Sequence, residues 1–152
     1  MISREELIEV LNEYDFTEEQ INRIVKSKTL IKIGIIDKIK QNLEVLVNNN
    51  IPLENISRCL SVLFKNNYLE IKEILKVLDA HNISKEIIEN CLSVLARGKA
   101  KEIEEILKVL EKHQISKETI EKWLTVLAQG KASEIEKMFE VLDKYHICKE
   151  NI

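Results

Sequence analysis

The chain of 152 residues has little that interrupts a helix: three glycines and one proline. Many short strands joined by turns would need far more of both, so this composition argues against a β-sandwich or barrel. It also argues against a flexible linker between domains. Aromatic residues make up only 5% of the chain, which leaves Ile, Leu and Val to fill the core. Three cysteines, an odd number, do not make a disulfide framework, and free thiols fit a reducing compartment. No apolar run approaches the roughly 20 residues of a membrane span. The opening Met1-Ile2-Ser3-Arg4-Glu5-Glu6 lacks the apolar stretch of a secretory signal and is too acidic for a transit peptide. These absences predict a single all-α domain in the cytoplasm, with no membrane segment.

The chain also lacks an excess of positive charge. It carries 23 Lys and Arg against 26 Asp and Glu, a net charge of −3. Affinity for nucleic acid comes largely from neutralising phosphates, so the whole-chain balance counts against such a ligand unless the charges are segregated into stripes.

What the chain does have is a period of 32 residues. Ile83-Ser84-Lys85-Glu86 recurs as Ile115-Ser116-Lys117-Glu118 and again as Ile147-Cys148-Lys149-Glu150. Leu92, Val94, Leu95, Gly98, Lys99 and Ala100 return 32 positions later as the same residue types. A unit this short cannot bury its own apolar face, whereas stacked units bury a continuous core and present equivalent residues as ridges. The alignment divides the chain into a half-unit at 2–15, full units at 16–50, 51–82, 83–114 and 115–146, and a partial unit at 147–152. The fold expected is a right-handed solenoid of stacked two-helix repeats.

In the unit at 83–114, Ser84 is a good N-cap and the first helix is expected to run to Leu95. Gly98 then supplies a positive φ at the turn, and the second helix carries Ile103, Ile106, Leu107 and Leu110. Ile88, Leu92, Leu95, Ile106, Leu107 and Leu110 are the expected core. Ser3 and Glu6, Thr17 and Gln20, and Ser133 and Glu136 have capping-box spacing, and Pro52 suits the first turn of a helix. Cys59 and Cys91 share a position with Trp123, which makes them core residues rather than nucleophiles. Met138, Phe139, Val141 and Leu142 of the last full unit are expected to be covered on one side only, which predicts either end-on self-association or continuation of the repeats in a longer protein.

No catalytic constellation is present, and the chain is not expected to be an enzyme. Gly98-Lys99 and Gly130-Lys131 lack the upstream Gly and the following Ser or Thr of a phosphate loop. His81 and His113 occupy equivalent positions in stacked units, too far apart to share a metal, and a helix C-terminus alone accounts for them. No cofactor or metal is expected.

Charge ridges are the candidate site. Near the inter-helix turns lie Lys65, Arg97 and Gln129 in register, followed by Lys99 and Lys131. One helical turn earlier come Arg58 and Lys122. Glu70, Glu102 and Glu134 form an acidic ridge beside them, and Glu54, Glu86, Glu118 and Glu150 open the first helices. Charges of these signs at helix ends need no partner. The alternative is that the basic ridge tracks a polyanion.

Ile24-Val25-Lys26-Ser27-Lys28-Thr29-Leu30-Ile31, followed by Asn42-Leu43-Glu44-Val45-Leu46 and Asn50-Ile51-Pro52, resembles a mitochondrial transcription termination factor repeat. That family stacks units of two to three helices into a nucleic-acid-binding superhelix. It usually has Pro where this chain has Lys28, Leu60, Leu92 and Leu124, which implies continuous helices here. It commonly has Gly where this chain has Asn50, Asn82, Gln114 and His146. Ile115-Ser116-Lys117-Glu118 with Gly130-Lys131 is similar to a transcription activator-like effector repeat, whose inter-helix loop reads DNA. Carried over, that resemblance places reader residues at Lys65, Arg97 and Gln129. The expected function is a non-enzymatic binding module for DNA or RNA, with a protein-interaction scaffold as the alternative.

Overall fold

A computed structural model describes residues 1–147. Cys148, Lys149 and Glu150 of the predicted partial unit lie outside the described residues. Every regular element among the described residues is helical. The N-terminal elements are α1 (Arg4–Glu13), α2 (Glu18–Val25), α3 (Lys28–Ile33) and α4 (Ile36–Asn48). Next come α5 (Leu53–Arg58), a 3-10 turn (Leu60–Leu63) and α6 (Tyr68–Ala80). Then follow α7 (Lys85–Glu89), α8 (Ser93–Arg97) and α9 (Ala100–Lys112), and last α10 (Lys117–Lys122), α11 (Leu124–Gln129) and α12 (Ala132–Lys144).

The four long helices α4, α6, α9 and α12 have 13 residues each. They touch in succession, α4 with α6, α6 with α9 and α9 with α12. The short elements do the same: α2 packs on α5, the 3-10 turn on α8, and α8 on α11. Apolar residues at helical spacing explain the order. Ile71, Ile74 and Leu78 form the buried stripe of α6, and Ile103, Ile106, Leu107 and Leu110 that of α9. Ile88, Leu92, Leu95, Ile106, Leu107 and Leu110 are all at most 5% exposed and belong to one core cluster. Each such side chain stabilises the fold by about 1.5–3 kcal/mol through burial.

The expected two-helix unit is corrected. What the sequence reads as one first helix is broken in two, so three helical segments recur instead of two. At two of the breaks side chains bond the backbone carbonyls. Asn55 donates to the Glu89 carbonyl at 2.9 Å, and the Glu86 carbonyl accepts the Asn90 side chain at 2.9 Å as well as the Asn90 amide at 3.2 Å. In the preceding unit the Ser57 hydroxyl takes the Glu54 carbonyl at 2.7 Å. Beyond each break the chain advances through shorter-range bonds, such as Cys91 to Ile88, Leu95 to Leu92 and Val126 to Trp123.

The turns also differ from expectation. Gly98 has φ −71°, an ordinary extended conformation. Its small size matters instead, because a Cβ there would lie 2.5 Å from the Val94 carbonyl oxygen and 2.7 Å from Ile103 Cδ1. The positive φ falls on Asp15, Asn50, Asn82, Gln114 and His146, just past the ends of α1, α4, α6, α9 and α12. The Asn50 amide donates to the Val47 carbonyl and the Ile51 amide to the Leu46 carbonyl, which is the Schellman arrangement. Ile83 and Ile115 make the corresponding bonds to Leu78 and Leu110. The repeated Ile is thus the apolar residue that closes each helix end.

Thr17 and Gln20 form a complete capping box, and Ser3 accepts from the Glu6 amide. Ser133 does not cap: it lies inside α12, whose N-cap is Lys131. Ser84 is the N-cap of α7, but its hydroxyl donates to Glu121 of α10 at 2.8 Å. Pro52 is the N-cap of α5.

Candidate functional site

The basic residues singled out from the sequence fall into separate places. Lys65, Arg97 and Gln129 are exposed at the ends of the short helical segments, with Lys65 Nζ 5.5 Å from the centre of the Phe64 ring. Lys99, Gln129 and Lys131 line one open cleft of about 440 Å³. Arg58 lines another, with Asn55, Glu89 and Asn90. Lys122 is exposed at the end of α10.

Two of these cations are already engaged. Arg58 binds one Glu54 oxygen through Nε at 3.1 Å and Nη2 at 2.9 Å. Arg23 of α2 reaches the other Glu54 oxygen at 3.1 Å, and Gln20 reaches it too. Arg58 first, then Arg23 and Gln20, hold the Glu54 carboxyl down at about 2. Lys99 Nζ donates to Asn66 Oδ1 at 2.8 Å. Asn66 is 3% exposed, and its amide donates to the carbonyls of Leu95 at 2.9 Å and Gly98 at 2.8 Å. Lys99 therefore completes the hydrogen bonding of a buried amide that ties the end of α8 to the preceding unit.

One member of the acidic ridge shares the basic cleft: Glu102, with Glu105 beside it, lines it together with Lys99, Lys101, Gln129 and Lys131. Glu102 also has a structural role. Its carboxylate accepts the amide of Ala132, the first residue of α12, at 2.8 Å. Glu70 accepts the Ala100 amide at the start of α9 at 2.7 Å. Neither Lys99 nor Lys131, the N-caps of those helices, makes a side-chain capping bond. The preceding unit caps the helix of the next.

Sequence reasoning missed a second surface. Trp123, Val126 and Leu127 together with Ile135 and Met138 form an apolar groove of about 320 Å³ floored by Ile106 and Leu110 of α9. Val126 is 40% exposed and Val141, farther along α12, is 54% exposed. Phe139 is not part of this exposed face: it is fully buried, its ring 4.6 Å from that of His113. The signal that could have found the groove is Trp123, the one large ring at a position otherwise held by Cys59 and Cys91. Those cysteines are half-buried free thiols packed against the core.

Helix dipoles alone account for His81 and His113 in the sequence, and the structure adds partners. His81 places Nδ1 against Glu111 and Nε2 3.0 Å from Glu104, both on α9. His113 places Nε2 3.0 Å from Glu136 and Nδ1 3.8 Å from Asp143, both on α12. Each ring thus sits between two carboxylates of the next unit, on opposite sides of the ring. Among the described residues no group of three or more His, Cys, Asp or Glu could hold a metal ion. No described helix is long and apolar enough to cross a membrane. No protein family, curated protein or solved structure matches the chain.

Proposed function

We propose that this chain is a non-enzymatic binding module, a right-handed solenoid of stacked units, whose ligand is another protein. The observation that carries this reading is the position of Glu102 and Glu105 in the same cleft as Lys99, Lys101, Gln129 and Lys131. A phosphate entering there meets two carboxylates beside three ammonium groups, one of which is already bound to Asn66, so the attraction is largely offset. The apolar groove at Trp123, Val126 and Met138 offers the opposite chemistry. It suits the apolar stripe of a partner helix, with the mixed charges of the turns as a polar rim.

The test is a fluorescence-anisotropy titration against mixed DNA and RNA at low salt, paired with selection of helical peptides on the immobilised protein. Peptides whose binding is lost on Val126→Glu support the reading. Saturable nucleic-acid binding that falls steeply with salt and is weakened by Lys131→Glu overturns it.

The nucleic-acid reading is the second one, and a specific observation favours it. The chain re-enters helical structure at Lys28, Leu60, near Leu92 and at Leu124. These are the positions where the termination-factor family carries Pro, so a three-segment unit fits that family better than the continuous helix expected from the missing prolines.

The reading includes end-on self-association through the last unit. α12 leaves Val141 and, beyond it, Tyr145 and Ile147 more than half exposed. α1 at the other end presents Glu5, Glu6, Glu9 and Glu13 to solvent. An acidic face does not mate with an apolar one, so pairing joins two copies of the α12 face. Sedimentation velocity should show a dimer that Val141→Glu converts to monomer, and a wild-type monomer at high concentration would rule it out.

A further inference from the structure

A cleft of about 410 Å³ lies between the end of α4, one face of α6 and the start of α7. Its place in the repeat gives it meaning. Asn49, Lys72 and Asp79 line this cleft. The residues 32 positions on are His81, Glu104 and Glu111, and 32 further on His113, Glu136 and Asp143. In both later places an imidazole occupies the position and lies between the two acids. In the first place no ring is supplied. The Asn49 side chain turns back to its own helix and donates to the Val45 carbonyl at 2.7 Å. One of the two acids is replaced by Lys72.

The site therefore keeps the repeat position that an imidazole fills in the later units and carries a lysine in place of one of its two flanking acids. Ile51, Leu75, Ile83 and Ile88 contribute apolar walls, and Lys76 and Lys85 stand with Lys72 against the single acid Asp79. Lys76 and Lys85 have carboxylates only at 3.5 and 3.6 Å, from exposed or partly exposed Glu73 and Glu89, which are weak pairs in water. Lys72 is exposed.

We propose that this cleft binds an aromatic monocarboxylate, with the ring in the place that His81 and His113 fill in the later units and the carboxylate held by Lys72. The apolar walls bury the ring, and the lysines select the anion over its neutral analogue. A ligand of so few atoms at an open cleft should bind with a dissociation constant on the order of 1 mM.

The test is a titration of the isoleucine methyl resonances with benzoate, with benzamide and benzylammonium as probes of the same shape and different charge. Benzoate should shift the Ile51, Ile83 and Ile88 methyls saturably, and benzamide should bind about 10-fold more weakly, a difference of about 1.4 kcal/mol. Lys72→Glu should abolish the benzoate response, and Lys72→Gln should weaken it, with helical circular dichroism unchanged. Asn49→His combined with Lys72→Glu rebuilds the internal arrangement, so it should block the cleft and raise the melting temperature. The proposal is overturned if benzoate leaves these methyls unmoved, if benzamide binds equally well, or if the Lys72 variants bind benzoate like the wild type.

Discussion

The Glu102 carboxylate accepts the backbone amide of Ala132 at 2.8 Å, across 30 residues, and so caps a helix in the following unit. Glu70 does the same for Ala100 at 2.7 Å. The first amides of a helix have no partner within it, and an anion there is favoured by the helix dipole. Because Lys131 supplies no side-chain cap to α12, Glu102 is the residue whose loss matters. Glu102→Ala should destabilise the protein by about 1 kcal/mol, the usual cost of losing an N-cap. Urea unfolding would measure it. Glu105→Ala, in the same cleft but with no such bond, serves as the control and should be near neutral.

Gln114 ends α9 with φ 60°, in the left-handed region. A residue with a Cβ pays roughly 1 kcal/mol or more there, whereas glycine does not. Gln114 is exposed, so replacing it removes no packing. Gln114→Gly should therefore raise stability by about 0.5–1 kcal/mol after the entropy that glycine gains in the unfolded chain is subtracted. Asn50→Gly should gain less, since Asn tolerates this conformation better than Gln does. A denaturant midpoint that moves down in Gln114→Gly would contradict the assigned turn.

Lys28 opens α3 behind Ser27, whose φ of −72° and ψ of 107° suit a residue preceding proline. At the first position of a helix the missing amide of proline costs nothing. Lys28→Pro should leave the melting temperature unchanged or raise it, through an effect of up to about 1 kcal/mol on the unfolded chain. The same substitution at Gln41, inside α4, should destabilise by about 3 kcal/mol or more. If Lys28→Pro unfolds the protein as Gln41→Pro does, the chain runs as one helix through Ser27.

Period and core were legible in the sequence because both depend on local spacing. Ile103, Ile106, Leu107 and Leu110 announce the buried stripe of α9 without any knowledge of its neighbours. The broken first helices were not legible, because the side-chain bonds to their carbonyls include a long-range one: Asn55 reaches Glu89 from 34 residues away. The left-handed turn was placed on Gly98 by residue type, yet the Schellman geometry put it on Gln114, where sequence preference is poor. In the candidate site the ridges were visible as charges at fixed spacing. That Lys99 is bound to Asn66, 33 residues earlier, and that Glu102 caps the next unit could be seen only once the units were placed side by side.

His81 lies between Glu111 and Glu104 with its side chain 12% exposed. Burial disfavours its charged form, but the hydrogen bonds and charges of Glu111 and Glu104 outweigh that effect, and the net shift is upward from 6.5. A raised pKa in the folded state means that the clamp contributes fully below the ordinary histidine value. The contribution is then lost as pH rises through the folded value. The difference in stability between wild type and His81→Gln should therefore be largest near about pH 6 and shrink toward about pH 9. Glu104→Gln and Glu111→Gln should each narrow the difference at the lower pH. Urea midpoints across that range test the clamp, and a gap that stays constant with pH would show that His81 stabilises the interface by packing and not by charge.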